Sequence, residues 1–162
     1  MSKFNQGKFR PVNYLKYKGN PTNIFYRSGW ELSIMSWFDR NDSILEWNSE
    51  ENPIPYKDPV TGRLRRYFPD FWVKKRNSNG SIDECIVEVK PLSQSLPPKK
   101  GDKKMQVYLK EVKTYATNQA KWKAAKMYCE HRGYKFLVIT KNKNGQFMTL
   151  NEGTLGIDRN IP

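Results

Sequence analysis

Hydrophobic and polar positions alternate with period two over residues 85–90, which predicts a β-strand. The odd positions of this segment are cysteine and valine, whereas Ile86, Glu88 and Lys90 share the opposite face. One face is therefore apolar enough to join a core, and the other carries two opposite charges.

A second alternating segment, residues 67–73, precedes this strand and predicts a neighbouring one. In it, Tyr67 and Phe71 would lie on one side and Asp70 on the other. The intervening sequence contains Asn-Ser-Asn-Gly, a strong turn signal, so the two strands are expected to form a hairpin. Such a hairpin would bring Asp70 and Glu88 to the same end of adjacent strands.

A first helix is predicted from Ser28 to about Asn41, because Ser28 is a favourable N-cap and hydrophobic residues follow at helical spacing. Glu31, at the third helical position, completes a capping box. The same carboxylate could instead supply a metal ligand, but the spacing alone favours the cap.

A long second helix is predicted over residues 105–132, with a break near residues 114–117, and Gly133 is a natural stop. A buried strand is expected over residues 134–140. The inner stripe of the helix is predicted to comprise Leu109, Val112, Ala116, Ala120, Ala124 and Met127. The order of elements predicts an α/β sandwich with a mixed central β-sheet flanked by helices.

Short strands are expected over residues 43–47 and 54–56, joined by a solvated turn that holds Glu50. A basic run then leads into the strand of Asp70. Its residues Arg65 and Arg66 are candidates for binding substrate phosphates, although arginines are common on protein surfaces.

Residues 1–23 are basic, aromatic and rich in turn residues, which predicts an extended arm ahead of a single domain over residues 24–162. The arm could lie along a DNA backbone or a partner protein. It could equally wrap its own domain through its aromatic side chains, and the sequence favours neither interpretation.

The charge balance narrows the function, because 29 Lys and Arg residues against 16 Asp and Glu residues give a net charge of +13. Such an excess favours a polyanionic partner, and nucleic acid is the first candidate. No apolar run approaches transmembrane length, and no secretion signal is recognisable. The single His argues against His-based nuclease motifs, and the isolated Cys85 and Cys129 are expected to be buried thiols.

Two carboxylates and one lysine carry the candidate chemistry. Asp70 follows a proline and is separated by seventeen residues from Glu88-Val89-Lys90, which is the PD-(D/E)xK signature of metal-dependent nucleases. Carboxylate and carbonyl oxygens suit Mg²⁺, with Mn²⁺ as a substitute, so Asp70, Glu88 and the Val89 carbonyl are candidate ligands. Lys90 would orient or activate the attacking water. The competing interpretation is an ordinary surface strand with a Glu/Lys pair.

The chain resembles the PD-(D/E)xK nucleases in their TnsA-like form, with a restriction-endonuclease-like core, and more closely the head completion nucleases of myovirus tailed phages. The resemblance implies that Glu31 is a third acidic site residue and metal ligand. Further candidate DNA contacts are Arg27 and, as auxiliary contacts, Asn118, Gln119 and Lys121. The sequences that carry the likeness are Gly19-Asn20-Pro21-Thr22-Asn23-Ile24, Tyr26-Arg27-Ser28-Gly29-Trp30-Glu31, Tyr67-Phe68-Pro69-Asp70-Phe71, Glu88-Val89-Lys90 and residues 115–122.

The resemblance also implies an endo- or exonuclease that hydrolyses phosphodiester bonds of double-stranded DNA late in virion assembly. Such a protein would help to join DNA-filled heads to tails by trimming packaged DNA. Its partners would be portal, neck or head proteins, without a membrane or a small-molecule cofactor, and it would be found at the head–tail junction of the virion and in the host cytoplasm during assembly. The alternative is a non-catalytic head-completion or DNA-binding protein that retains the nuclease fold. Intact carboxylates disfavour this alternative, because they oppose phosphate binding unless a metal ion is present.

Overall fold

A computed structural model describes residues 6–150 of the chain, in which a mixed β-sheet carries one long helix on each face. Helix α1 spans Gly29–Arg40 and helix α2 spans Met105–Arg132. The described strands are β1 (Gly7–Phe9), β2 (Ile24–Tyr26), β3 (Ile44–Ser49), β4 (Ile54–Lys57), β5 (Leu64–Tyr67), β6 (Phe71–Arg76), β7 (Ile82–Val89), β8 (Lys135–Lys141) and β9 (Phe147–Thr149).

The central sheet has five strands in the order β3-β6-β7-β8-β9. Strands β7 and β8 are parallel because α2 connects them as a crossover, whereas the other neighbours are antiparallel. The predicted mixed α/β sandwich is therefore confirmed. Strand β9 was not predicted. Within residues 6–150, no helix combines the length and apolar character of a membrane span.

Each face of the sheet has its own core. On one face, α1 packs through Ile34, Met35 and Phe38 against residues of β3, β6, β7 and β8. On the other face, α2 packs through Trp122 against the sheet and the separate β4–β5 hairpin. Cys85 lies in the first core and Cys129 in the second, so both thiols are buried as predicted.

The predicted hairpin is confirmed, since β6 pairs antiparallel with β7 from Phe71–Val87 to Arg76–Ile82. The predicted continuous strand over residues 67–73 is wrong. Strand β5 ends at Tyr67, and β6 begins only at Phe71. Because the chain changes sheets here, strand alternation does not persist across the gap. Tyr67 consequently faces the core under α2, while Phe71 faces the core under α1.

Helix α2 is continuous, so the predicted break is wrong. The predicted inner stripe is right at Ala120 and Ala124, which pack against the core, but wrong at Leu109 and Met127. The buried residues are Asn118, Trp122, Ala125 and Cys129, whereas Leu109 and Met127 are about half exposed, at 48% and 53%. The helix is about 42 Å long at 1.5 Å per residue, and β8 is about 23 Å long at 3.3 Å per residue. The sheet is therefore too short to cover the whole of α2, whose buried residues begin at Asn118.

The described part of the predicted arm packs on its own domain. Phe9 and Tyr17 are buried, with ring centres 5.8 Å and 4.8 Å from that of Trp47. Strand β1 also pairs with β2. Residues 1–5 of the predicted arm, with Lys3 and Phe4, lie outside the described residues, as do residues 151–162. The division of the chain at residue 23 stays a prediction.

Candidate active site

The β6–β7 hairpin brings Asp70 and Glu88 together. Asp70 precedes β6 directly, and extending the Phe71–Val87 pairing by one residue places it opposite Glu88. The Asp70 carboxylate accepts a hydrogen bond of 2.7 Å from the Val89 backbone N–H, which holds it against the end of β7. Lys90 follows, with Nζ 3.8 Å from a Glu88 carboxylate oxygen.

Burial raises the pKa of both carboxyl groups. Burial raises the pKa of Asp70 well above its ordinary value, and the neighbouring Glu88 charge adds to the rise. Burial also raises the pKa of Glu88, against the opposing effects of the Tyr67 hydroxyl and Lys90. Two adjacent buried carboxylates disfavour each other's charge, and a bound divalent cation would offset that repulsion. This all-oxygen donor set therefore fits Mg²⁺.

Tyr67 is a site residue that sequence reasoning missed. Its hydroxyl donates a hydrogen bond to the Glu88 carboxylate, and both side chains are buried. The Lys121 ammonium lies 5.7 Å from the centres of both the Tyr67 and Tyr56 rings, and its charge lowers the pKa of Glu88. In the sequence, only its proximity to the Pro-Asp motif could have indicated that Tyr67 belongs to the site.

Glu31 has the capping role that its spacing favoured. Ser28 Oγ accepts a hydrogen bond of 3.1 Å from the Glu31 N–H, and the Glu31 carboxylate accepts one of 3.0 Å from the Arg27 N–H. Burial raises the pKa of Glu31, and its charge contributes to the raised pKa of Asp70. Glu31 is thus near the pair. Among residues 6–150, however, no group of three or more His, Cys, Asp or Glu side chains is arranged to hold a metal ion. Its role as a third ligand stays a prediction.

Glu50 lies closer to the site than a simple solvated turn would place it. Its backbone has a φ of 55°, and its N–H donates a hydrogen bond of 3.1 Å to the Asp70 carbonyl. Its carboxylate forms an ion pair of 3.1 Å with Arg27 and raises the pKa of Glu31. A left-handed backbone at a non-glycine residue is uncommon, and no sequence signal indicated it.

The predicted DNA contacts are scattered. Arg65 is paired with Asp58 at 3.0 Å, and the Arg66 guanidinium lies 5.7 Å from the centre of the Phe68 ring. Gln119 is exposed on α2, about 200° around the helix from Lys121 at 100° per residue. Lys121 lies beside the Tyr67 ring, and its charge lowers the pKa of Glu88. DNA contact by any of them stays a prediction.

Comparisons with known proteins identify the family of the chain. The family model described as TnsA-like endonuclease N terminal matches residues 41–141, a range that contains Asp70, Glu88 and Lys90 but not Glu31. The head completion nuclease of Enterobacteria phage T4 is 40% identical over 142 residues, which cover 84% of this chain and 91% of that protein. A comparison with solved structures found no match.

The family model covers more than half of the chain, and the phage relative covers most of it. TnsA-like nuclease domains have the restriction-endonuclease-like fold, which confirms the predicted fold class. The chain therefore belongs to the TnsA-like endonuclease family.

Proposed function

We propose that this protein is a Mg²⁺-dependent DNA nuclease that acts in phage head completion. The observation that supports the proposal is the placement of Asp70 opposite Glu88 at the end of the β6–β7 hairpin, with Lys90 Nζ 3.8 Å from the Glu88 carboxylate. Family membership supports nuclease chemistry, and the name of the T4 relative supports a role in head completion.

In this proposal, Asp70 and Glu88 would hold the ion through their carboxylate oxygens, with the Val89 carbonyl as a further ligand and Mn²⁺ as a substitute metal. The bound ion would polarise the scissile phosphate and lower the pKa of a water molecule. The Asp70 carboxylate is oriented by the Val89 N–H, and the Glu88 carboxylate is oriented by the Tyr67 hydroxyl. Such outer partners fix the geometry of ligands.

Lys90 would orient the attacking water and offset the negative charge that develops on the phosphate. Its side chain is 28% exposed, so its ammonium group can reach both the carboxylate pair and a substrate on the surface. The net charge of +13 would attract duplex DNA and make binding weaken as salt rises. Double-stranded DNA at the head–tail junction, presented by portal, neck or head proteins, is the proposed substrate.

Cleavage of supercoiled plasmid tests the proposal. We expect nicking with Mg²⁺, none with EDTA, and a loss of roughly 100-fold or more in Asp70→Asn and Lys90→Gln. Asp83→Asn is the matched control, because Asp83 lies at the other end of β7, where it pairs with Lys135 at 3.2 Å. Parallel assays on linear duplex would separate endonuclease from exonuclease activity.

Absence of cleavage in Mg²⁺ and Mn²⁺, with salt-sensitive DNA binding intact, would favour a non-catalytic protein of head completion instead. Cleavage by Asp70→Asn at the rate of Asp83→Asn would show that the carboxylate pair is not the active site. The assembly role has its own assay, in which heads completed with the Asp70→Asn protein should fail to accept tails. Normal joining of those heads would separate head completion from DNA hydrolysis.

A further inference from the structure

A basic cavity of about 390 Å³ adjoins the carboxylate pair. It lies between the chain that follows β7 and residues 110–121 of α2. Four lysines line it, and no acidic residue does among the described part of the chain. These lysines are Lys90, Lys110, Lys113 and Lys121.

The cavity and the proposed reaction site share two side chains. Lys90 Nζ lies 3.8 Å from a Glu88 carboxylate oxygen. The Lys121 ammonium lies 5.7 Å from the centre of the Tyr67 ring, whose hydroxyl donates a hydrogen bond to the same carboxylate. An anion in the cavity would therefore sit next to the phosphate that the carboxylates address. Successive phosphates of a DNA strand are likewise adjacent anionic groups.

Asn118 provides an independent sign of a ligand. It lines the cavity, it is only 5% exposed, and its amide nitrogen has no hydrogen-bond partner among the described residues. Buried amide donors are normally paired, because leaving one unpaired destabilises the folded state. A neutral donor amid lysines suits a phosphate oxygen, which accepts hydrogen bonds from amide groups as well as from cations.

We propose that this cavity binds a phosphate group of the DNA strand next to the one being cleaved, with Asn118 as a hydrogen-bond donor to a phosphate oxygen. The inference rests on the proposed nuclease function for its biological meaning, but DNA binding tests it separately. Asn118 and Lys113 act here as positioning residues, which set where the strand lies relative to Asp70 and Glu88.

The experiment measures binding of a fluorescent duplex by anisotropy, with the full chain carrying Asp70→Asn to prevent cleavage. Lys113→Gln should weaken binding about five-fold at 0.15 M salt and reduce the salt slope by about one. Lys126→Gln is the matched control, because Lys126 is exposed on the same helix, about 140° around from Lys113. It should change neither quantity.

Asn118→Leu replaces the amide with an apolar group of similar volume. It should weaken binding about tenfold, the effect of losing a hydrogen bond to a charged group. Its melting temperature should stay the same or rise, because the variant no longer buries an unpaired donor. A lower melting temperature would overturn the proposal, since Asn118 would then have a structural partner. Parental affinity in Asn118→Leu, or equal effects of Lys113→Gln and Lys126→Gln, would also overturn it.

Competitor DNAs distinguish the two sources of such a phosphate. Closed circular DNA offers only internal phosphodiesters, whereas a short linear duplex can carry a 5′-phosphate or a 5′-hydroxyl end. If Asn118→Leu lowers the affinity for the circular competitor, the cavity binds an internal phosphodiester. If the substitution lowers only the affinity for the 5′-phosphorylated duplex, the cavity binds a terminal phosphate. If the unmodified protein fails to cleave while these binding effects persist, the nuclease proposal fails and the phosphate cavity remains.

Discussion

Removing the Tyr67 hydroxyl gives the sharpest test of how the site is held. The Tyr67→Phe substitution keeps the buried ring in the core under α2 but deletes the hydrogen bond to the Glu88 carboxylate. The carboxylate keeps Lys90 at 3.8 Å as a charged neighbour. The substitution therefore removes an orienting contact and leaves the ligand itself in place.

The size of the effect follows from the burial of both partners, which are 4% and 6% exposed. A hydrogen bond to a charged group contributes about 1.5–3 kcal/mol to the free energy of unfolding. For a chain of this length, the melting temperature should fall by about 3–12 °C. Loss of a partner that orients a metal ligand should raise the Mg²⁺ concentration for half-maximal nicking by about 10–100-fold.

Tyr56→Phe is the matched control. Tyr56 is buried in the same core, and Lys121 lies 5.7 Å from its ring as it does from the Tyr67 ring. In the described chain, its hydroxyl makes no hydrogen bond to a site carboxylate. The assay is plasmid nicking across a Mg²⁺ titration, together with thermal melting. If the two variants share one Mg²⁺ dependence and one melting temperature, the Tyr67 hydroxyl does not orient Glu88, and the reasoning is refuted.

Three further substitutions separate function from stability. Glu31→Gln keeps an oxygen that can accept a hydrogen bond from the Arg27 N–H, so the free energy of unfolding should change by less than about 1 kcal/mol. The rate of nicking should fall about tenfold or more, and an unchanged rate would mean that Glu31 serves only as a cap. The hydrogen bond from the Val60 N–H is the main cause of a lowered pKa of Asp58, so its ionised form stabilises the fold above about pH 4, and that stabilisation is lost as the pH falls. Asp58→Asn should therefore lose less stability than the parent between pH 6 and pH 3 in urea unfolding, and an identical loss would contradict this. Gly133 has a φ of 70° and open space around it, so Gly133→Ala should cost about 1–2 kcal/mol through backbone strain alone, and an unchanged melting temperature would be the contrary result.

The second helix shows how far hydrophobic periodicity reaches. The apolar residues in its first half suggested an inner stripe through Leu109, yet the buried residues of the helix begin at Asn118 and Leu109 is about half exposed. The burial of Trp122 and the cavity position of Asn118 depend on where β8 and the β4–β5 hairpin lie under the helix. The hydrophobic pattern of a helix gives the angular positions of its residues around the axis. The neighbouring elements decide which of those positions are buried.

By itself the sequence determined the features that depend on residues close together in the chain. The Ser28 cap of α1, the turn that closes the β6–β7 hairpin, and the alternation that places Glu88 and Lys90 on one face all arise from local backbone preferences. Only the tertiary structure decided that the Tyr67 hydroxyl reaches Glu88 across 21 positions of sequence and that Asn118 lines a cavity beside Lys90. The physical reason is that these contacts join separately folded segments, whose relative placement is set by how the two cores pack against the sheet.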